Sequence, residues 1–417
     1  MKLDILGDTE IITTFLALAI LLLSAFVFGN LLEKIKGPRV VGEILGGMIV
    51  GGSCLFLIFP EFMKSIFFAY SEEGKVLNIF YQLGLIFLMF LSGYNTDISV
   101  KKKNIKTISL VLIGSTILPM LFSIPFLGLF EEYFIGSVNN SVSFGLVFCI
   151  GVAITSIPVI SKIFFDMGVM NTKFSNTILT VSTIQDLILW ILLNIAIRIS
   201  STGTIKLIDM ILVVGVTLGL FVLVGLISKN IKQIKKETDT KFFYTMSFIL
   251  LLAVCALLSI VGINIMYSSF LVGYLIKSLF NGEKNMKDRI NYLEKFVFSF
   301  FVPIYFALVG IQLNVIHDFS LLRFIIFFVV AFGLEFIGTW IMLLFSKLSK
   351  NIKLNFCITM NARGGPGIVL ATIAYANNII NLEFFTVLIL TTMLSSMIAG
   401  YYLRYQYSRN ENIFNEL

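Results

Sequence analysis

The chain has 417 residues, of which 58% are hydrophobic and only 13% are charged. This composition excludes an ordinary soluble domain and indicates an all-α polytopic membrane protein. The formal net charge of +7 does not indicate a nucleic-acid partner, because membrane topology explains it. The four cysteines lie inside apolar runs, so they predict neither a disulfide framework nor a metal site, and no cofactor is expected.

Hydrophobic segments divide the chain into thirteen predicted transmembrane helices. Their approximate limits are 11–32, 39–60, 76–93, 107–130, 141–165, 174–198, 205–228, 242–260, 262–280, 292–314, 320–346, 353–376 and 380–404. Lysines and arginines concentrate in alternate connections between these segments. The positive-inside rule therefore predicts a multi-pass protein of the cell membrane with its N-terminus outside and its C-terminus in the cytoplasm.

Thirteen helices can be divided into two halves of six helices joined by one linker helix. Because the single linker helix crosses the membrane once, the second half has the opposite orientation to the first, which is an inverted repeat. Proline and glycine interrupt two of them, at Ile154–Pro158 in the fifth helix and at Asn361–Gly367 in the twelfth, its counterpart. Free backbone groups are tolerated at membrane depth only where they line a cavity. The matched interruptions therefore predict two crossed, discontinuous helices around a midplane binding site, with a pair of ordinary proline kinks as the alternative.

Asp186 lies near the middle of the sixth predicted helix. A carboxylate at that depth is costly and rare unless it faces water and does work, so we expect it to bind a cation, a proton or each in turn. The alternative is an inert aspartate bonded to a neighbouring helix. Ser182 lies one turn earlier on the same face and is a predicted ligand. Gln185 points about 100° away and is expected either to join the ion site or to bond a broken helix.

Three further ionisable residues fall within predicted helices. Glu335, in the eleventh helix, is expected either to tune the protonation of Asp186 or to be a second proton site. Arg363 is expected to pair with a carboxylate or with free carbonyl groups at the crossing. Glu43, early in the second helix, is expected either to line a cytoplasmic entrance or to pair with a nearby basic residue, Lys34 or Arg39.

Several stretches resemble bacterial monovalent cation:proton antiporters, the group that includes sodium/proton antiporters and the membrane part of glutathione-gated potassium-efflux systems. They are GPRVVGEILGG at 37–47, GLIFLMFLSG at 84–93, TSIPVISK at 155–162, Gln185-Asp186 and NARG at 361–364. The resemblance covers nearly the whole chain. It implies a secondary antiporter with thirteen helices, an inverted repeat, two crossed broken helices and a homodimer formed through a separate scaffold.

On this resemblance, residues 1–417 form one transporter domain. Its scaffold and dimer part is expected at about 11–93 and 242–314, its ion-transporting core at about 107–198 and 320–404, and its linker helix at about 205–228. Helices four to six and eleven to thirteen are then the moving core.

The expected site centres on Asp186, which would bind Na⁺ or K⁺ and a proton in competition. Thr155 and Ser156 of the broken fifth helix are expected to supply further oxygen ligands. The residues expected to shape the crossing and its electrostatics are Pro158, Asn361, Arg363 and Gly364. No metal is expected beyond the transported cation.

Two departures from the family pattern bear on the mechanism. Many sodium/proton members have two consecutive acids where this chain has Gln185-Asp186, a form that resembles the potassium-efflux branch. Glu335 stands where electrogenic members carry a lysine, so the usual stoichiometry is not expected to carry over. The nucleotide-binding domain of the potassium-efflux branch has no counterpart here, so any gating would require a separate regulatory subunit.

The main alternative function is a gated, channel-like potassium-efflux pathway without obligatory proton exchange. A symporter of organic anions would require cationic or neutral groups at the site, whereas this sequence offers two carboxylates. A membrane scaffold without transport would have no use for ionisable groups at this depth. Enzymatic catalysis is not expected.

Overall fold

The computed structural model describes residues 6–95, 105–170, 172–203, 211, 214, 215, 219, 239–260, 263–280, 286–313, 315–316, 319–409 and 414. The first α-helices are α1 (Asp8–Lys34), α2 (Arg39–Val50), α3 (Leu55–Ile58), α4 (Pro60–Phe67), α5 (Glu73–Asn95), α6 (Ile105–Leu112), α7 (Leu118–Ser123), α8 (Leu127–Phe134), α9 (Ser141–Ala153), α10 (Ile157–Asp166) and α11 (Lys173–Thr202). The later ones are α12 (Thr240–Ile260), α13 (Ile265–Leu279), α14 (Met286–Ser299), α15 (Phe301–Gln312), α16 (Leu321–Leu344), α17 (Lys350–Met360), α18 (Gly364–Ala376) and α19 (Leu382–Arg409).

Ten helical segments in the described ranges are long and apolar enough to cross a membrane. Two further predicted spans correspond to the shorter helix α13 and to the interrupted pair α17 and α18. The predicted linker helix at 205–228 lies outside the described residues apart from four positions, so the count of thirteen and the inverted repeat stay predictions. The predicted all-helical membrane fold is confirmed.

The described helices form two compact units. The first contains α1 to α5 and α12 to α15, and the second contains α6 to α11 and α16 to α19. Glycines set the packing in the first unit, because a side chain at these positions would separate the helices. A Cβ at Gly47 on α2 would overlap the Ala307 carbonyl on α15, and one at Gly93 on α5 would overlap the Phe270 carbonyl on α13.

The second unit contains both interrupted helices and the long helices α11, α16 and α19. Phenylalanine rings fill one end of its interior. Phe134 stacks on Phe384 with ring centroids 4.6 Å apart, and Phe148 meets Phe327 edge to face at 5.5 Å. Beside this cluster the Gly136 N–H donates to the Ile379 carbonyl at 2.9 Å, which ties the segment after α8 to the segment after α18.

The fourth predicted span differs from a regular helix. A π-helical turn, Ile113–Ile117, separates α6 from α7, and a 3₁₀ turn, Ile124–Phe126, separates α7 from α8. Pro119 follows the π-helical turn by two residues, and Pro125 is the middle residue of the 3₁₀ turn. Proline has no N–H for the carbonyl four residues earlier and its ring crowds that carbonyl, so the regular ladder is locally rearranged.

Candidate functional site

The first interruption is an extended segment in the second unit. Helix α9 ends at Ala153 and α10 begins at Ile157. The Ser156 hydroxyl accepts from the Val159 N–H at 3.4 Å, so it caps α10, and Pro158 occupies the first turn. Proline is well suited there because the first N–H groups of a helix have no partner within the helix.

The second interruption separates α17 from α18. The Asn361 side-chain amide donates to the Cys357 carbonyl at 3.0 Å, which closes the end of α17. Gly364 then starts α18 with φ +42°, and its N–H donates to the Ser396 hydroxyl at 2.9 Å. A positive φ favours glycine, because a Cβ is strained in that region.

Both interruptions are shorter than the sequence predicts. The non-helical residues are Ile154–Ser156 and Asn361–Arg363, whereas predicted interruptions run to Pro158 and Gly367. Pro158 and the residues from Gly364 onward lie inside the first turns of α10 and α18. A first turn accepts proline and glycine because its N–H groups make no bonds within the helix.

The two interruptions meet. The Ser156 N–H donates to the Ala362 carbonyl at 2.6 Å, and the Thr155 hydroxyl donates to the Met360 carbonyl at 2.6 Å. A Cβ at Gly364 would overlap the Ser156 hydroxyl oxygen, so the Ser156 side chain packs directly against the Gly364 backbone. Backbone groups freed by one interruption are therefore satisfied by the other.

Asp186 and Ser182 lie in the middle of α11, which is continuous from Lys173 to Thr202. Asp186 is 2% exposed, and Ser182 is fully buried. Neither carboxylate oxygen of Asp186 nor the Ser182 hydroxyl has a hydrogen-bond partner among the described residues. Burying such groups without a partner is costly, and the prediction that they bind an ion stays a prediction.

Gln185 links α11 to its neighbours. Its side-chain amide donates to the carbonyl of Ala153, the last residue of α9, and to the Ser115 carbonyl at 3.2 Å. Pro119 has no N–H to give to that Ser115 carbonyl, so Gln185 supplies the missing donor. The expectation that Gln185 bonds a broken helix is confirmed, and Asp186 therefore directly follows a residue anchored on the first interruption.

Glu335 and Arg363 form a buried ion pair, with Arg363 Nη2 2.8 Å from Glu335 Oε2. Arg363 also donates to the carbonyls of Gly151, Val152 and Ala331 at 3.3, 2.9 and 3.0 Å. The prediction that Arg363 pairs with a carboxylate or with carbonyl groups is confirmed, since it does both. The pair connects α16 with both interrupted helices.

Glu43 belongs to the first unit, whereas the residues described above belong to the second. Arg39 Nε donates to Glu43 Oε1 at 2.9 Å, and Glu43 is buried. The predicted pairing with a nearby basic residue is thus confirmed. Its role at an entrance stays a prediction.

Three features near the interruptions are absent from the sequence prediction. The first is the π-helical turn, whose buried Ser115 and Thr116 hydroxyls have no hydrogen-bond partner in the described part of the chain. The other two are the bond from the Gly364 N–H to the Ser396 hydroxyl and the bond from the Thr155 hydroxyl to the Met360 carbonyl. Pro119 is the local sequence feature that could have predicted the π-helical turn. The other two join residues far apart in the chain, and no local pattern marks them.

The sequence pattern of the transmembrane sodium/hydrogen exchangers matches residues 19–405. A Na⁺/H⁺ antiporter of Enterococcus hirae is 25% identical over 399 residues, which cover 94% of this chain and 97% of that protein. Cation/H⁺ antiporter 17 of Arabidopsis thaliana is 26% identical over 91% of this chain, but the match spans only about half, 47%, of the plant protein. The sodium proton antiporter MjNhaP1 of Methanocaldococcus jannaschii has the same fold, with a TM-score of 0.63 and 17% identity over 98% of this chain and 99% of that one.

Proposed function

Because the chain belongs to the sodium/hydrogen exchanger family, we propose that it is a secondary antiporter exchanging a monovalent cation, Na⁺ or K⁺, for protons. The observation that carries this proposal is the Asp186 carboxylate, which is buried in a membrane-spanning helix with neither oxygen hydrogen-bonded among the described residues. A carboxylate in that position needs a bound proton or cation to offset its lost hydration.

Competition at one carboxylate makes the exchange obligatory. A cation held by ionised Asp186 and by the Ser182 hydroxyl is released when a proton neutralises the carboxylate, because a neutral group no longer offsets the cation's dehydration. Thr155 and backbone oxygens of the first interruption complete the oxygen shell. The ends of the half-helices contribute partial charges of both signs at the crossing.

Alternating access requires one part of the protein to move against another. The second unit, which contains Asp186 and both interruptions, is the moving core in this proposal, and the first unit is the scaffold. The protein works in the cell membrane with its N-terminus outside, as a homodimer formed through the scaffold.

The test is proton flux in proteoliposomes that contain a pH-sensitive dye, after pulses of Na⁺, K⁺ or Li⁺. We expect wild-type protein to move protons in response to Na⁺ or K⁺, and Asp186→Asn to abolish the response because it removes the exchangeable charge. Glu132→Gln is the matched control, since it neutralises an exposed carboxylate of the same unit and should leave the flux unchanged.

Two results would contradict the proposal. Cation flux without coupled proton movement would instead support the channel-like pathway. Full exchange by a folded Asp186→Asn protein would show that another group carries the ions, and Glu335 would then be the residue to test.

A further inference from the structure

A second close helix contact in the second unit joins the π-helical turn to α16. Two glycines permit it. A Cβ at Gly338 on α16 would lie 2.5 Å from the Gly114 carbonyl oxygen, and a Cβ at Gly114 on the turn would lie 2.8 Å from the Thr339 Cα. The two backbones therefore touch, because small residues let helices approach this closely.

Three hydroxyl groups follow these glycines, and each is buried without a hydrogen-bond partner among the described residues. They belong to Ser115 and Thr116 on the turn and to Thr339 on α16. A helical threonine can donate to the carbonyl four residues earlier, as Thr386 on α19 does at 3.0 Å. Burying a hydroxyl without such a bond is costly. Three such groups beside one helix contact therefore indicate a bound polar molecule.

Gln185 on α11 brings a fourth group to the same contact. Its amide nitrogen donates to the Ser115 carbonyl at 3.2 Å, so its amide oxygen, bonded to the same carbon atom, lies beside the turn. That oxygen is also buried, with no partner in the described part of the chain. An amide oxygen only accepts hydrogen bonds, whereas a hydroxyl both donates and accepts. The set therefore requires a ligand that can do both.

Water meets this requirement and a monovalent cation does not. A buried water typically makes two to four hydrogen bonds to polar groups that otherwise have no partner. A cation could not donate to the Gln185 amide oxygen, and the four neutral groups would not offset its lost hydration. Water also transfers protons to positioned side chains, which gives the site a use in a proton-exchanging protein.

Ser182 connects this contact with Asp186. It precedes Gln185 by three residues and Asp186 by four on α11, so its side chain neighbours both of them on the helix surface. The Ser182 hydroxyl is buried, and no described residue bonds to it. A hydroxyl in that place can accept a proton from one side and donate one to the other.

The contact lies on the predicted cytoplasmic side of Asp186. Measured along the helices, Ser115 is about 15 Å from the start of α6, Thr339 about 8 Å from the end of α16, and Asp186 about 20 Å from the start of α11. The positive-inside rule predicts that these three helix ends face the cytoplasm. The four polar groups therefore lie at depths between the cytoplasm and Asp186.

We propose that the π-helical turn, α16 and Gln185 hold water that carries protons between the cytoplasm and Asp186, by a route that the cation does not take. This inference rests on the proposed antiport. In each transfer the Ser182 hydroxyl gives a proton to the Asp186 carboxylate and takes one from the adjacent water, which takes one in turn from its neighbour on the cytoplasmic side. Each oxygen gains one proton for each proton it gives.

The test compares two fluxes in proteoliposomes. Cation-driven proton flux requires a proton to reach and leave Asp186, whereas exchange of isotopically labelled cation for unlabelled cation does not. Thr116→Val/Thr339→Val keeps the side-chain size and removes two hydroxyls. We expect it to slow the proton flux several-fold and to leave the cation self-exchange unchanged. Thr116→Ser/Thr339→Ser keeps the hydroxyls and should retain both fluxes.

Melting temperature tests the water itself. If water is bound, Thr116→Val and Thr339→Val each remove one of its partners and should each lower the melting temperature. Without bound water, each change would remove a buried hydroxyl that has no partner and would raise the melting temperature. Thr386→Val is the matched control for transport, because it removes a buried hydroxyl that bonds its own helix, and it should leave both fluxes unchanged.

The outcomes are distinct. An unchanged proton flux in the double valine variant, or an equal loss of both fluxes, would overturn the water route and leave antiport standing. A raised melting temperature in either single variant would overturn it as well. If the double variant does not fold, the single variants provide the flux comparison. No cation-driven proton flux in the wild type would overturn the proposed function itself.

Discussion

At the scale of single residues, the neighbours Gln185 and Asp186 differ in one respect: the Gln185 side-chain nitrogen is hydrogen-bonded, whereas the Gln185 side-chain oxygen and both Asp186 oxygens have no partner among the described residues. The Gln185 side-chain amide donates to two carbonyls, that of Ala153 on α9 and that of Ser115 on the π-helical turn. The Asp186 oxygens are buried and have no hydrogen-bond partner among the residues that the structure describes. A helix turns about 100° per residue, so adjacent side chains face different surroundings. A residue that anchors a neighbouring helix and a buried carboxylate can therefore be consecutive.

Gln185→Met tests the anchoring role. This change keeps the side-chain size but removes the donor, so the Ala153 and Ser115 carbonyls lose a buried partner. We expect a loss of about 1–3 kcal/mol in the free energy of unfolding, measured as a lower melting temperature in detergent. Thr180→Val, at a partly exposed position of the same helix, is the control and should change stability by less than about 0.5 kcal/mol. Equal melting temperatures for both variants would contradict the anchoring role.

At the scale of elements, the crossing consists of two short non-helical segments that satisfy each other. The bonds from Ser156 to Ala362 and from Thr155 to Met360 replace bonds that continuous helices would have made internally. Gly364 permits this approach, because it combines a positive φ with close contact to the other segment. The next residue, Gly365, has open space where its Cβ would lie.

These two glycines form a matched pair of tests. Gly364→Ala would place a Cβ 2.5 Å from Val159 Cγ2 and in overlap with the Ser156 hydroxyl. We expect it to separate the interruptions, to cost about 1–3 kcal/mol, and to reduce cation-driven proton flux. Gly365→Ala should be tolerated and should retain both the melting temperature and the flux. If the two variants behave alike, the close approach at Gly364 does not matter for function.

At the scale of the whole molecule, the distribution of basic residues predicts the orientation in the membrane. Asp8 at the start of α1 should face the outside, and Lys350 at the start of α17 should face the cytoplasm. Both are exposed in the structure. They therefore suit labelling experiments that read orientation directly.

Single cysteines test this orientation in a Cys54→Ser background, which leaves only buried native thiols. An impermeant maleimide should label Asp8→Cys in intact cells and should label Lys350→Cys only after permeabilisation. The reverse pattern would invert the proposed topology. Labelling of both in intact cells would place the two helix ends on one side and would contradict the predicted helix count.

The sequence by itself determined the membrane class, most of the spans and the positions of Asp186 and of both interruptions. Those properties depend on local hydropathy, on proline and glycine, and on the cost of a charge in an apolar segment, all of which can be read along the chain. Only the tertiary structure decided which groups meet. Glu335 and Arg363 are 28 positions apart and Thr155 and Glu335 are 180 apart, and their pairing depends on helix packing. That pairing leaves Asp186 as the buried carboxylate without a partner among the residues described in its unit.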